Sequence, residues 1–378
     1  MTAQHERTEH RQGAPRLRVI SGMGDRATSP MTYLDRVGYE ITRETVDGIP
    51  VHVHHVPDVF SNNSPESVAT RDKIAWAERY LQENPHIKPP SVSETEAGGK
   101  ILNVGNNRAA SMLYDESPTL HEWRRTHVPT AFALVPLQHP DMGKLPNGIP
   151  IDDVAKKFFE HGLDATAIRA RARVMERICT DQIEGAGSNA ISWVALGSGA
   201  ADPNFAAIAH LKEQLGVDVS FHAVDMDPEV LAYTEVIAGM HGINSDNIKL
   251  QTHLSNLVPS LIRSNDLIEQ LGGDDKATAD IVDLMGVFEY FKDNTAKRLL
   301  AQAYRLVKPG GTMVIGNMLS TRPELEFNQR GVGWGGITPR SVGEVDNLIR
   351  SAGIEATYHR ASDGVYLVAE IHKPHDVV

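Results

Sequence analysis

The chain has 378 residues, 41% of them hydrophobic, enough for one large domain with additions or for two domains that each bury a core. A formal net charge of -12 gives no general attraction to nucleic acid or to an anionic membrane, because both need clustered positive charge. One cysteine, Cys179, excludes an internal disulfide and a cysteine-rich zinc site, and no stretch approaches the ~20 apolar residues of a membrane helix; the expectation is a soluble cytoplasmic protein with no nucleic-acid or membrane partner.

Residues 1–30 mix His, Arg, Glu, Gly and Ser without hydrophobic period and read as a flexible tail. Residues 31–150 read as a smaller α+β region. Within it, a β-branched run from Tyr39 to Val56 is broken by Asp47-Gly48, a pair suited to a hairpin turn. Ser64-Pro65-Glu66 then supplies a cap, a first-turn proline and an early acid for a helix running to Leu81, which Asn84-Pro85 ends. Pro89 to Gly99 and Pro136 to Pro150 read as loops, the second as a domain boundary.

Residues 151–378 read as the main domain. Asp152 to Ile183 carries the apolar face of one or two helices, with Cys179 as a helix-face residue. From Ala190 onward apolar strands alternate with helical patterns, the arrangement of a mainly parallel sheet with helices on both faces. The strand Ile191–Leu196 runs into Gly197-Ser198-Gly199-Ala200-Ala201-Asp202, followed by a helix from about Asn204 to Leu215. A glycine-rich turn there lets a ligand approach the backbone at the positive end of a helix, but Asp202 takes the place of the third glycine of a dinucleotide fingerprint.

The next strand, Val219 to Val224, ends in Asp225-Met226-Asp227-Pro228. Asp225 stands at the end of that strand, ~20 residues downstream, where an acid can hold ribose hydroxyls. Met226 is placed to lie against an adenine, and Asp227 to cap the helix that starts at Pro228. A third buried strand from Ala279 leads into Gly286-Val287-Phe288-Glu289-Tyr290. Leu306 to Ile315 then reads as a helix end, a tight Lys308-Pro309-Gly310-Gly311 turn and a strand.

The order and spacing of these motifs, over about Ala190 to Pro374, resemble the Rossmann-like S-adenosylmethionine-dependent methyltransferases. The resemblance implies S-adenosyl-L-methionine as cofactor, Gly197, Ser198 and Gly199 under its methionine part, Asp225 on its ribose, and Met226, His253, Leu254 and Gly286 in the same cofactor set. It also implies a closing antiparallel strand pair, matched by Thr357 to His359 and Val365 to Ile371. Two positions depart from the pattern: Ala195 stands where an acid is usual before the glycine loop, and Ala201 where a third glycine is. Gly286 to Phe291, with Lys308 to Gly311 and Gly316-Asn317, is more loosely similar to bacterial methyltransferases that form fatty-acid methyl esters.

Methyl transfer from a sulfonium needs donor and acceptor aligned in dry surroundings, and a base only when the acceptor is a hydroxyl rather than a carboxylate. Glu289 and Tyr290 are the catalytic candidates, for a small-molecule acceptor methylated at a carboxylate or hydroxyl oxygen; a packed, positional role is their alternative. Arg169 and Arg173 share a helix face that Arg171 does not; either could reach the cofactor's carboxylate, with Arg173 the candidate carried forward and a solvated basic face the commoner reading. His52, His54 and His55 raise a zinc reading, set aside for want of a third ligand in favour of surface histidines, so no metal is expected. Trp334, among glycines 331, 333, 335 and 336, either walls the acceptor pocket or plugs the core. The rivals are an NAD(P)-dependent oxidoreductase, which lacks a Tyr-x-x-x-Lys pair, and a non-catalytic S-adenosylmethionine-binding module. Oligomeric state is not readable.

Overall fold

A single twisted sheet of nine strands organises the chain. The computed structural model describes residues 38–60, 64–95, 99–103, 107–244, 248–271 and 278–375, so the expected tail at residues 1–30 lies outside the described residues. The strands are β1 (Ile41–Val46), β2 (Ile49–His54), β3 (Ser91–Glu94), β4 (Lys100–Asn103), β5 (Ala190–Leu196), β6 (Asp218–Asp225), β7 (Lys249–Leu254), β8 (Ala279–Leu284), β9 (Val307–Met318), β10 (Thr357–Ala361) and β11 (Tyr366–His372). In the large sheet they lie in the order β1-β2-β10-β11-β9-β8-β5-β6-β7, and β3 pairs with β4 alone.

The strands β9-β8-β5-β6-β7 are mutually parallel. From β5 the chain steps outward to β6 and β7, then returns to β8 on the other side of β5. In an open α/β sheet such a reversal opens a crevice at the carboxyl ends of the strands, where ligands bind. The expected antiparallel pair closes this part: β11 runs against both β9 and β10.

The expected hairpin forms β1 and β2, with Asp47 and Gly48 both at positive φ as a type I′ turn requires. It extends the same sheet, because β2 lies parallel to β10. Helix α1 (Pro65–Glu83) begins where expected, the Ser64 hydroxyl accepting the N–H of Ser67 at 3.2 Å. The lead-in is two helices, α2 (Asp153–His161) and α3 (Leu163–Ala186). They break at Gly162, where a side chain would meet the Phe158 carbonyl oxygen at 2.8 Å.

Further helices α4 (Asp202–Leu215), α5 (Pro228–Met240), α6 (Asp293–Leu306) and α7 (Val342–Ser351) cover the sheet. One face packs Trp193, Phe221 and Ile281 against Val174, Ile178, Cys179, Phe205 and Ile208. The other packs Val194, Val224, Val282 and Leu284 against Leu299, Leu300, Val345 and Ile349. A third cluster joins Ile74, Leu120, Trp123, Phe158 and Phe159 to Phe327, Trp334 and Tyr366, tying the amino-terminal helices to the segment after β9.

Two loop readings need correction. Ser91–Glu94, within the first, is a strand because Lys100–Asn103 offers it a partner, and the short helix Leu134–Gln138 runs into the start of the second, which is otherwise loop. Likewise Lys308-Pro309-Gly310-Gly311 is not a tight turn between helix and strand. It is the irregular start of β9, with Gly310 at φ +82° and a register shift against β8 between Ala279 and Ile281. The extra residues are absorbed as a bulge.

Candidate cofactor and acceptor site

The glycine loop is built by backbone bonds. After β5, the N–H groups of Gly197 and Ser198 both donate to the Val224 carbonyl, at 2.8 and 2.9 Å, which pins the loop to the end of β6. Gly199 then donates its N–H to Asp225 Oδ2 at 2.8 Å, and Asp227 donates its N–H to Asp225 Oδ1 at 3.0 Å. Burial raises the pKa of Asp225, and these backbone donors oppose the rise. Asp227 caps α5 as expected, accepting from the N–H groups of Glu229 and Val230.

Gly197 is at φ +66°, and a Cβ there would lie 2.4 Å from that of Val287. The loop after β8 therefore rests directly on the glycine loop, and a Cβ added at Gly286 would also face it, 3.9 Å from the Gly197 carbonyl oxygen. Ala201, in place of the third glycine, takes φ +59°, so its methyl is carried in a left-handed conformation at the start of α4. Ala195, in place of the acid, is fully buried.

Alternation along β6 and β7 sorts the remaining cofactor candidates. Asp225 pairs with Leu254 in register, and Val224 with His253, so Leu254 shares the side of Asp225 while His253 faces the other side. There His253 stacks on His222, with ring nitrogens 3.1 Å apart, and burial lowers the pKa of both. Met226 and Leu254 are 58% and 63% exposed, unusual for large apolar side chains at strand ends.

Beyond β8, Tyr290 is half-exposed and its hydroxyl accepts the Trp334 indole N–H at 3.1 Å. Trp334 is buried against Trp123, so it packs in the third cluster and also positions Tyr290. Glu289 points inward: its Oε2 accepts the N–H of Met318 at 2.7 Å, and burial raises its pKa against the pull of Arg171 and Arg322.

The solvated basic face expected for Arg169 and Arg173 is overturned, since both are buried, as is Arg171. Arg169 spends its donors inside the protein, on Asp58 and the carbonyls of Leu137, Phe159 and Glu160, and so is not the group that meets a cofactor carboxylate. Arg173 is ion-paired with Glu176 on the same helix. Arg171 stacks on Tyr366 at 4.3 Å. His54, read as a surface residue, is buried, bonding His359 at 3.0 Å, and His359 bonds Glu370 at 3.0 Å. His55 instead contacts Thr42 at the exposed edge.

Sequence reasoning missed two buried arginines, Arg322, which acts on the Glu289 carboxyl, and Arg124. Arg322 ion-pairs with Asp164 at 2.7 Å, yet its Nη2 has no hydrogen-bond partner among the described residues. Arg124 donates Nε–H to the Val332 carbonyl and lies over the Tyr114 ring, with both Nη atoms unpartnered among the described residues. Their spacing in sequence carries no pattern that would mark them.

No family model and no curated protein matches the chain. Among solved structures it is similar to a possible exported protein from Bordetella parapertussis, over 83% of this chain and 100% of that one, with a TM-score of 0.53 and 15% identity. It also matches an O-methyltransferase family protein from Burkholderia thailandensis over 57% of this chain and 61% of that one (TM-score 0.41, 18% identity). A third match, over 84% and 99%, is an O-methyltransferase family 2 protein from Planctomyces limnophilus in complex with apigenin (TM-score 0.38, 13% identity). None of the three is named as a fatty-acid methyl-ester-forming enzyme. The Bordetella likeness supports the architecture alone: a doubly wound, mainly parallel sheet closed by an antiparallel strand pair.

Proposed function

We propose that this chain is an S-adenosylmethionine-dependent methyltransferase acting on a small molecule at an oxygen. The observation that carries the reading is the joining of Gly199 to Asp225 at the sheet's switch point, with Met226 and Leu254 exposed beside it. A nucleoside fits this chemistry, since Asp225 has acceptor capacity left for ribose hydroxyls and the two side chains offer apolar faces to an adenine. The cofactor supplies an electrophilic methyl group on a sulfonium. The protein's own part is to align the acceptor, exclude water and settle the acceptor's proton.

In this reading Tyr290 faces the acceptor, held by Trp334, and Glu289 fixes the loop to the end of β9 through Met318. The amino-terminal region, about residues 31–150, covers the acceptor side, since its Trp123 and Arg124 pack beside Trp334 and Val332. The two Nη atoms of Arg124 and the Nη2 of Arg322, which have no hydrogen-bond partner among the described residues, favour an anionic acceptor, because a buried charged donor is costly unless a partner meets it. A carboxylate is then the preferred methylated group, already ionised and needing no base.

The test is turnover: protein incubated with methyl-labelled S-adenosylmethionine and a panel of carboxylate and hydroxyl acceptors, with S-adenosylhomocysteine quantified. Transfer to a carboxylate, weakened in Arg124→Met, supports the full reading. Cofactor binding with no transfer to any acceptor would favour a non-catalytic binding module.

A further inference from the structure

We propose that His139, Asp202 and His241 form a site for a divalent transition-metal ion of the zinc class, beneath the glycine loop. His139 follows the short helix Leu134–Gln138, Asp202 opens α4, and His241 caps the end of α5. Only the fold brings them together. His139 Nε2 lies 2.5 Å from Asp202 Oδ2, and His241 Nε2 lies 2.7 Å from Oδ1. One ligand atom from each residue falls within 4.8 Å of the other two. All three side chains are 5% exposed or less.

Two imidazole nitrogens and one carboxylate make a donor set that suits zinc, with bonds of about 2.0–2.2 Å and ligand atoms therefore roughly 3.3 Å apart in a tetrahedral site. The rings would need to retreat from the carboxylate by less than about 1 Å to admit the ion. With neutral imidazoles the triad carries one negative charge, which a divalent cation complements. The alternative is a plain buried carboxylate clamped by two imidazoles.

A metal here would have a structural consequence for the cofactor loop. Asp202 directly follows Ala201, and Gly199 packs against Ala131, with a Cβ at Gly199 meeting that of Ala131 at 3.0 Å. The ion would thus tie the glycine loop to α5 and to the segment ending at His139. The proposal does not depend on which cofactor the crevice holds.

The experiment uses the untagged full chain, stripped by chelator, titrated with Zn2+ by calorimetry and with Co2+ by visible absorption. The expected result is one ion per chain at about micromolar affinity or tighter. A melting-temperature rise of about 3 °C is expected at a hundredfold excess over Kd. His139→Ala and His241→Ala should lose the binding and the rise. X-ray absorption at the zinc edge of the wild-type protein should report two imidazole ligands, a readout that survives if the variants fail to fold. No stoichiometric binding, unchanged binding in both variants, or a ligand shell without imidazole would overturn the proposal.

Discussion

Gly199 donates its backbone N–H to the Asp225 carboxylate at 2.8 Å, so the acid at the end of β6 and the glycine loop after β5 behave as one unit. Asp225→Asn should therefore act twice. It replaces an oxygen that accepts backbone N–H groups with an amide that cannot accept on both sides, and it weakens the ribose contact. A stability loss of about 1 kcal/mol and at least about tenfold weaker binding of an adenosyl ligand are expected. Thermal melts and equilibrium dialysis separate the two effects.

Gly197→Ala should be among the most damaging single substitutions. The new Cβ would meet the Cβ of Val287 at 2.4 Å, in a left-handed conformation that a side chain resists. A loss of about 2–4 kcal/mol is expected from overpacking and backbone strain together. Adding Val287→Gly, which removes the Cβ that the new methyl meets, should return much of the overpacking part and leave the backbone part, which chemical denaturation of the single and double variants can resolve.

Met226→Ala and Leu254→Ala should weaken adenosyl binding by about three- to tenfold each while barely altering stability, because both side chains are more than half exposed in the free protein. A large drop in melting temperature with unchanged binding would argue that these side chains serve packing instead.

Asp283 gives the protein a stability slope at mildly acid pH. Burial lifts its pKa to about 6, against hydrogen bonds from the Trp193 indole N–H and the Asn204 amide. A carboxyl raised in the folded state contributes stability that is complete below its unfolded pKa of about 4 and is lost as pH rises through about 6. The protein should lose on the order of 2–3 kcal/mol over that window. Asp283→Asn should flatten the slope, as read from urea denaturation at successive pH values.

Arg124→Met should leave stability unchanged or slightly raised, because it removes a buried cation with two unpartnered nitrogens. For an anionic acceptor, KM should rise about tenfold or more with a smaller change in kcat. Equal effects on charged and neutral acceptors would remove the case for an anion pocket.

The sheet, the hairpin and the lead-in helices were legible because each rests on local signals: apolar strands, Asp47-Gly48, Ser64-Pro65 and the face carrying Ile168 and Ile178. Loops misread as such failed for a tertiary reason. Ser91–Glu94 is a strand only because Lys100–Asn103 is there to pair with it. The glycine loop and Asp225 were legible from their positions after strands. Arg124, Arg322 and the His139–Asp202–His241 group were not, since their members stand tens of residues apart and meet only through the packing of the amino-terminal region on the sheet. Burial of Arg169, Arg171 and Arg173 ran against the usual solvation of charge, which no helical spacing reveals.

The measurement that bears most directly on the central claim is calorimetric titration of the wild-type protein with S-adenosylmethionine and S-adenosylhomocysteine, beside NAD and NADP, and again with Asp225→Asn. The account predicts about micromolar binding of both adenosyl ligands, strongly weakened in the variant, and none of the nicotinamide cofactors. Binding of a nicotinamide cofactor in their place, or adenosyl binding that the substitution leaves untouched, would contradict it.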